Sequence, residues 1–238
     1  MSAILALLLG ATVAAAPPLV FIDAGHGEGD NQGAQTVRCG TEADFTLSLA
    51  RDLAARLEAG GRFRVRLSRT SSTGPSYPQR LARARAAGAR ALLSLHADAR
   101  GALSWHKTLD GRSCLRSLEQ PGFSVLYSDE GSAGRVARRR RLARAVATRM
   151  TNAGFIAYDG FDYGGLYEVD PTEGVFIDRR RLFMLRRPPM PSVIIETHHA
   201  FHPEDHADWQ RDETRARFAA AVEAALWEVL TPGVGRGG

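Results

Sequence analysis

Short apolar runs alternate with amphipathic stretches along most of the chain, and this alternation leaves few architectures open. Leu19–Asp23 reads as a short apolar strand. Thr41 opens a helix, with Asp44 completing a Ser/Thr-x-x-acid capping pattern. Phe45, Leu49, Leu53 and Leu57 recur every four residues and give that helix one apolar face, and Gly60-Gly61 stops it. Phe63, Val65 and Leu67 alternate as a strand, and Ser76, Pro78 and Gln79 mark the next helix start. Ala91–Leu95 and Phe123–Tyr127 are further strands, Arg135–Met150 a helix, Ser192–Glu196 a strand and Glu213–Leu230 a closing helix before Pro232. The order predicts an α/β fold: a single sheet of about six strands flanked by helices on both faces. Two stretches, Arg100–Gly122 and Ala157–Arg181, fit neither pattern and read as long loops or insertions, the usual carriers of specificity.

With 238 residues, 44% hydrophobic and 24% charged, wholesale disorder and collagen-like structure are excluded. Met1–Ala16 carries no charge. Its apolar run Ile4–Val13 is too short to span a bilayer and precedes Ala14-Ala15-Ala16, so it reads as a secretory signal peptide without the usual positive n-region. A buried N-terminal element is the alternative. Residues 17–231 are then expected to be one domain, with 232–238 a flexible tail. No other segment approaches transmembrane length, so no membrane anchor is expected and the domain should be exported, to a periplasm or the cell exterior. Cys39 and Cys114 are the only cysteines, and both fall in loop-like stretches. Export permits them to pair, and the reading here is a disulfide rather than two separate thiols.

Chemistry is concentrated where three strands end. The first runs into Asp23-Ala24-Gly25-His26-Gly27, where flanking glycines let the backbone turn and leave the imidazole exposed. Another ends Leu95-His96-Ala97-Asp98, and the late strand ends Ile195-Glu196-Thr197-His198-His199. Ligands of open α/β sheets bind at the carboxyl ends of strands, so residues far apart in sequence can meet there. Glu42, on the first turn of the following helix, can point back over the same edge. Singly, each residue has an ordinary structural explanation. Together, two imidazoles and a carboxylate make a catalytic zinc set that leaves a position for water, and a free carboxylate can act as general base and acid. The assignment is His26, Glu42 and His96 as ligands of one zinc ion and Glu196 as the catalytic carboxylate. Asp23 and Asp98 are candidates for orienting the ligands.

Val20-Phe21-Ile22-Asp23-Ala24-Gly25-His26-Gly27, then Gly33-Ala34 and Gly40-Thr41-Glu42, resembles the opening signature of zinc-dependent N-acetylmuramoyl-L-alanine amidases of type 3. Ser94–Ala99 resembles that family's second histidine motif, Met190–Glu196 the stretch bearing its catalytic glutamate, and Pro203-Glu204-Asp205 the segment after that glutamate. The resemblance runs in family order over roughly residues 19–230. It implies an α/β sheet flanked by helices and hydrolysis of the amide between the lactyl group of N-acetylmuramic acid and L-alanine of the stem peptide. It also implies action on peptidoglycan or muropeptides of the cell wall. Where the family carries a Gly-Phe pair and an Asn, this chain has His198, His199 and His202. His198, His202 and His206 are spaced by four and read as a solvated polar loop or helix start, with substrate contact, or oxyanion help from one of the first two, as the alternative. Two other function classes stay open: a non-catalytic wall-binding or regulatory protein on the same fold, and another zinc peptidase or amidohydrolase.

Thirty-one Lys and Arg against 26 Asp and Glu leave a net charge of +5, and Lys107 is the only lysine. The helix Arg135–Met150 holds seven arginines and no acid. No aromatics interleave with them, so single-strand stacking is not expected and nucleic acid is not the predicted partner. The bland reading is a solvated face. Arg186 or Arg187 could hold a stem-peptide carboxylate, since arginine suits bidentate carboxylate binding. Ala157–Arg181, with Glu168, Asp170 and Glu173, could cover the metal in a resting state. The sequence names no activator protein.

Overall fold

The coordinates are a computed structural model describing residues 16–231. The leader reading of 1–16, save Ala16, and the tail 232–238 lie outside the described residues. In chain order the elements are β1 (Leu19–Ala24), α1 (Glu42–Ala59), β2 (Arg64–Leu67), α2 (Tyr77–Ala86), β3 (Ala91–Asp98), β4 (Ser104–Lys107), β5 (Ser113–Arg116), β6 (Ser124–Tyr127), α3 (Ala133–Asn152), β7 (Tyr167–Val169), β8 (Val175–Asp178), α4 (Phe183–Arg186), β9 (Ser192–His199), α5 (Pro203–Asp208) and α6 (Asp212–Leu230).

The main sheet has the order β2-β1-β3-β9-β6-β8-β7. β2, β1, β3 and β9 run parallel, β6 is antiparallel to β9, and β7 is antiparallel to β8. Strand alternation divides the apolar residues between two faces. Val20, Ile22, Leu93, Leu95, Val193 and Ile195 pack on one side with Leu49 and Leu53 of α1, Val146 of α3 and Phe218 of α6. Leu19, Phe21 and Leu92 face the other side, against Ala84 of α2 and Met184 of α4. Ile194 lies there too, packed with Leu185 of α4. Helices therefore cover both faces.

The helix starts follow their capping chemistry. Thr41 caps α1 by accepting the Asp44 amide at 3.1 Å. Ser76 and Gln79 form a capping box at α2, where Gln79 accepts the Ser76 amide at 3.0 Å.

Seven strands stand in the main sheet, not about six, because the stretch 157–181 contributes β7 and β8 to its edge. Strands of three and four residues are too short for their periodicity to show in sequence. The stretch 100–122 is likewise not plain loop. It holds the antiparallel hairpin β4–β5, whose half-exposed strands lack an alternating apolar pattern. A disulfide between Cys39 and Cys114, with Cα atoms 5.3 Å apart, ties this hairpin to the loop before α1. His106 Nε2 donates to the Val37 carbonyl at 2.9 Å and adds a second tie.

Candidate active site

β1 feeds one residue after another into a tight turn. Gly25 donates its amide to the Leu95 carbonyl at 3.0 Å, and His26 adopts φ 61°, a left-handed backbone that histidine visits uncommonly. Two buried arginines hold this turn by its carbonyls. Arg80 donates to Ala24 at 2.9 Å and to His26 at 2.5 Å, and Arg69 donates to Ala24 at 3.0 Å and Gly25 at 2.9 Å. Arg80 is itself fixed by Asp23, 2.9 Å away and fully buried, which also accepts Ser94 Oγ at 2.7 Å. Asp23 thus acts on the turn through Arg80 and does not touch an imidazole.

Three donor atoms converge beside the turn. His26 Nε2 lies 2.9 Å from Glu42 Oε1, His96 Nδ1 lies 3.0 Å from the same oxygen, and the two ring nitrogens are 3.1 Å apart. Among the described residues this is the group of His, Cys, Asp and Glu side chains close enough to share a metal ion. Backbone amides aim the carboxylate: Ala97 N donates to Oε1 at 3.1 Å and Ala34 N to Oε2 at 3.0 Å. His26 Nδ1 faces Asn31 Oδ1 at 2.9 Å. An amide oxygen only accepts, so Nδ1 carries the proton and the Nε2 lone pair is directed at the cluster. Burial disfavours the His26 cation, but the hydrogen bond and charge of Glu42 outweigh it and raise the pKa. Burial would raise the Glu42 carboxyl, yet hydrogen bonds from His26 and His96 hold it well below the usual range.

Two glycines make room for this packing. A Cβ on Gly25 would sit 2.5 Å from His96 Cε1, and one on Gly33 would sit 2.5 Å from Glu42 Oε2. The donor set fits a zinc ion: imidazole lone pair and carboxylate oxygen face a common point, with backbone and Asn31 supporting them from behind.

Glu196 of β9 stands next to His96, its register partner on β3. Both line a cleft of about 550 Å³ with His26, Glu42, Asp98, Tyr167 and Arg180. Burial, with the charges of Asp98 and Glu42, pushes the Glu196 carboxyl well above its ordinary value. Asp98 is engaged by Arg100 at 2.9 Å and by the Tyr163 hydroxyl, and bonds neither metal-facing imidazole.

The structure places other predicted residues elsewhere. Between His96 and Asp98 on β3 lie two residue steps, but opposite them β9 takes three, from Glu196 to His199. This bulge reverses the alternation, so His198 turns to the α1 side and does not line the cleft. It is fully buried, against Phe45 and stacked on Trp209, with Nε2 3.0 Å from His206 Nδ1. For His198 substrate contact is therefore replaced by a core role, and the solvated reading gives way at His198 and His206, both buried, while the helix-start reading fits His202. His202 instead caps α5, accepting the Asp205 amide at 3.2 Å. Arg186 lies outside the cleft, 3.7 Å from Glu130. The stretch 157–181 borders the cleft through Tyr167 and Arg180, but Glu168, Asp170 and Glu173 are not among the residues lining it. Glu168 pairs with Arg179, Asp170 with Arg140 and Arg144, and Glu173 is exposed.

Sequence reasoning missed Asn31, Arg69, Arg80, Tyr167 and Arg180. An Asn in a Gly-rich loop five residues after a histidine is a faint signal, and Arg80 looks like its neighbours Arg83 and Arg85.

The profile of the N-acetylmuramoyl-L-alanine amidase family matches residues 20–228. A probable N-acetylmuramoyl-L-alanine amidase, AmiB of Haemophilus influenzae, is 30% identical over 90% of this chain and 52% of its own. The chain thus spans about half the length of that relative. The crystal structure of the amidase Ami1 from Mycobacterium smegmatis superposes with a TM-score of 0.71 at 23% identity, over 90% of this chain and 97% of that one. An N-acetylmuramoyl-L-alanine amidase from Clostridium difficile 630 gives 0.69 at 21%, over 92% and 100%. These two show that the fold is shared. With His26, Glu42, His96 and Glu196 gathered at one sheet edge within the matched region, the chain belongs to the N-acetylmuramoyl-L-alanine amidase family.

Proposed function

We propose that residues 17–231 form the catalytic domain of a zinc-dependent peptidoglycan hydrolase. It cleaves the amide between the lactyl group of N-acetylmuramic acid and L-alanine of the stem peptide. One observation carries this reading: His26 Nε2, His96 Nδ1 and Glu42 Oε1 meet within about 3 Å on the floor of a cleft that Glu196 also lines. Family membership supplies the amide.

His26, Glu42 and His96 would hold the zinc. When bound, the metal supplies Lewis acidity and makes water a competent nucleophile near neutral pH. Glu196 takes the proton of the attacking water at a carboxylate oxygen and returns it to the departing alanine nitrogen. Asn31 keeps the His26 lone pair on the metal side, while Arg69 and Arg80 keep the turn from relaxing. The disulfide supports action in an oxidising compartment, the periplasm or cell wall. Among the described residues no helix is long and apolar enough to cross a membrane.

The test is direct. The purified protein is assayed for zinc and incubated with muropeptides, and the products are identified by mass spectrometry beside Glu196→Ala. Free stem peptide plus glycan, lost in the variant, is the expected result. Zinc binding without turnover would mark a binding protein, and cleavage within the peptide a peptidase.

A further inference from the structure

β8 leads into three consecutive arginines with different fates. Arg179 pairs with Asp129 at 2.7 Å and with Glu168, and Arg181 pairs with Glu130 at 2.9 Å. Arg180, between them, has no carboxylate within 4.0 Å among the described residues. It faces the cleft, where its Nη1 donates to the Tyr167 hydroxyl at 3.0 Å. The turn is built rather than loose. Buried Asp178 accepts the amides of Arg180 at 2.9 Å and Leu182 at 2.7 Å, and so sets which way each arginine leaves the backbone.

Arg180 is also the one arginine or lysine lining a cleft that carries three acids, Glu42, Asp98 and Glu196. Two of these have assignments at the reaction centre, and Asp98 is engaged by Arg100 and Tyr163. One hydroxyl leaves most of the five guanidinium donors available to a ligand. Beside it the wall turns apolar, through Leu182, Met184 and Ile194, where charge–carboxylate bonds are strengthened by partial exclusion of water.

A planar fork free on a cleft wall matches a substrate carboxylate. Resting on the amidase reading above, we propose that Arg180 is a specificity-determining residue. It binds the free α-carboxylate of the residue after L-alanine in the stem peptide, so the enzyme prefers that carboxylate to its amidated form.

Two muramyl tetrapeptides that differ only in that group, free acid or carboxamide, test this. The zinc-loaded protein should hydrolyse the free acid with kcat/KM about tenfold higher or more, mainly through KM, as expected for a lost charge-assisted bond. Arg180→Met should treat the two substrates alike, and Arg180→Lys should keep part of the preference. Calorimetry on Glu196→Gln, which reads affinity without turnover, should show the same ranking. Thermal scans check that each variant is folded, and the wild-type comparison needs no variant. Equal wild-type rates and affinities on both substrates would overturn the proposal while leaving the amidase reading intact. An equal loss on both in Arg180→Met would also overturn it, marking Arg180 as a counter-charge to the acids. Hydrolysis of neither substrate would remove the amidase reading and this proposal with it.

Discussion

At the residue scale the three-donor cluster depends on side chains that stand behind it. Asn31 fixes which nitrogen of His26 is free, so Asn31→Ala should weaken zinc affinity about 10–100-fold in chelator competition while leaving thermal stability nearly unchanged. The same residue shows where sequence reading stops. His26, Glu42, His96 and Glu196 were legible because three stand in or just past the carboxyl half of a strand with a strong apolar pattern and the fourth opens a capped helix, so their convergence follows from topology. Asn31, Arg69 and Arg80 were not legible, because their partners, a ring nitrogen, backbone carbonyls and for Arg80 also the Asp23 carboxylate, come near only in the folded turn. His198 misled for a different reason: a bulge of one residue inverts a strand's alternation and leaves no mark in composition.

At the scale of elements, the hairpin β4–β5 is the part least supported by packing. Half of its strand residues are exposed and only Cys114 is buried, and the disulfide closes a separation of 75 residues. Replacing both cysteines by alanine should lower stability by about 2–4 kcal/mol in urea unfolding, with the hairpin amides losing exchange protection first. The end of β9 and α5 carry a different sensitivity. Burial, then His206 and His199, push His198 well below the ordinary histidine value, while burial and Arg38 bring His206 down to about 4. Thr197, Gln210 and the rings of Phe45 and Trp209 complete their surroundings. The 3.0 Å contact between the two rings needs one donor and one acceptor, and two cations would break it. Above about pH 6.5 neither folded nor unfolded chain is charged here, and stability is full. As pH falls from there toward 4, the unfolded chain binds protons that the folded one refuses. Stability should then drop by about 1.4 kcal/mol per pH unit for each such histidine. Thermal scans between pH 7 and 5 should show a shallower decline for His206→Gln than for the parent.

At the scale of the whole molecule, topology explains the location of the site. From β1 the chain goes first to β2 on one side and then to β3 on the other, so β1 and β3 flank a switch point, and His26 and His96 emerge at their carboxyl ends. The basic character has an equally structural explanation. Of the arginines of α3, Arg139 is buried on the carbonyls of Glu130, Arg186 and Pro188. Arg140 and Arg144 bind Asp170, and Arg149 binds Glu228. Asp170, itself buried, joins α3 to the turn between β7 and β8 and accepts the Tyr127 hydroxyl at 3.0 Å. Asp170→Asn should lower stability by about 2 kcal/mol in denaturant unfolding, part of the buried-pair range because both arginines are partly exposed. The arginine-rich helix was legible as a helix with a largely solvated basic face; which of its charges meet acids was not, since the partners of Arg140, Arg144 and Arg149 lie 26 to 79 residues away.

The position of β9 has a consequence for how the molecule is made. It is the last strand in sequence yet stands mid-sheet, between β3 and β6. A ribosome therefore releases His26, Glu42 and His96 well before the strand that carries Glu196 exists. Without that strand the order divides into two three-stranded groups, β2-β1-β3 and β6-β8-β7, each with an edge left unpaired. That strand joins the two groups and sets Glu196 beside His96, so the imidazoles and this carboxylate share a cleft only once both groups are paired to it.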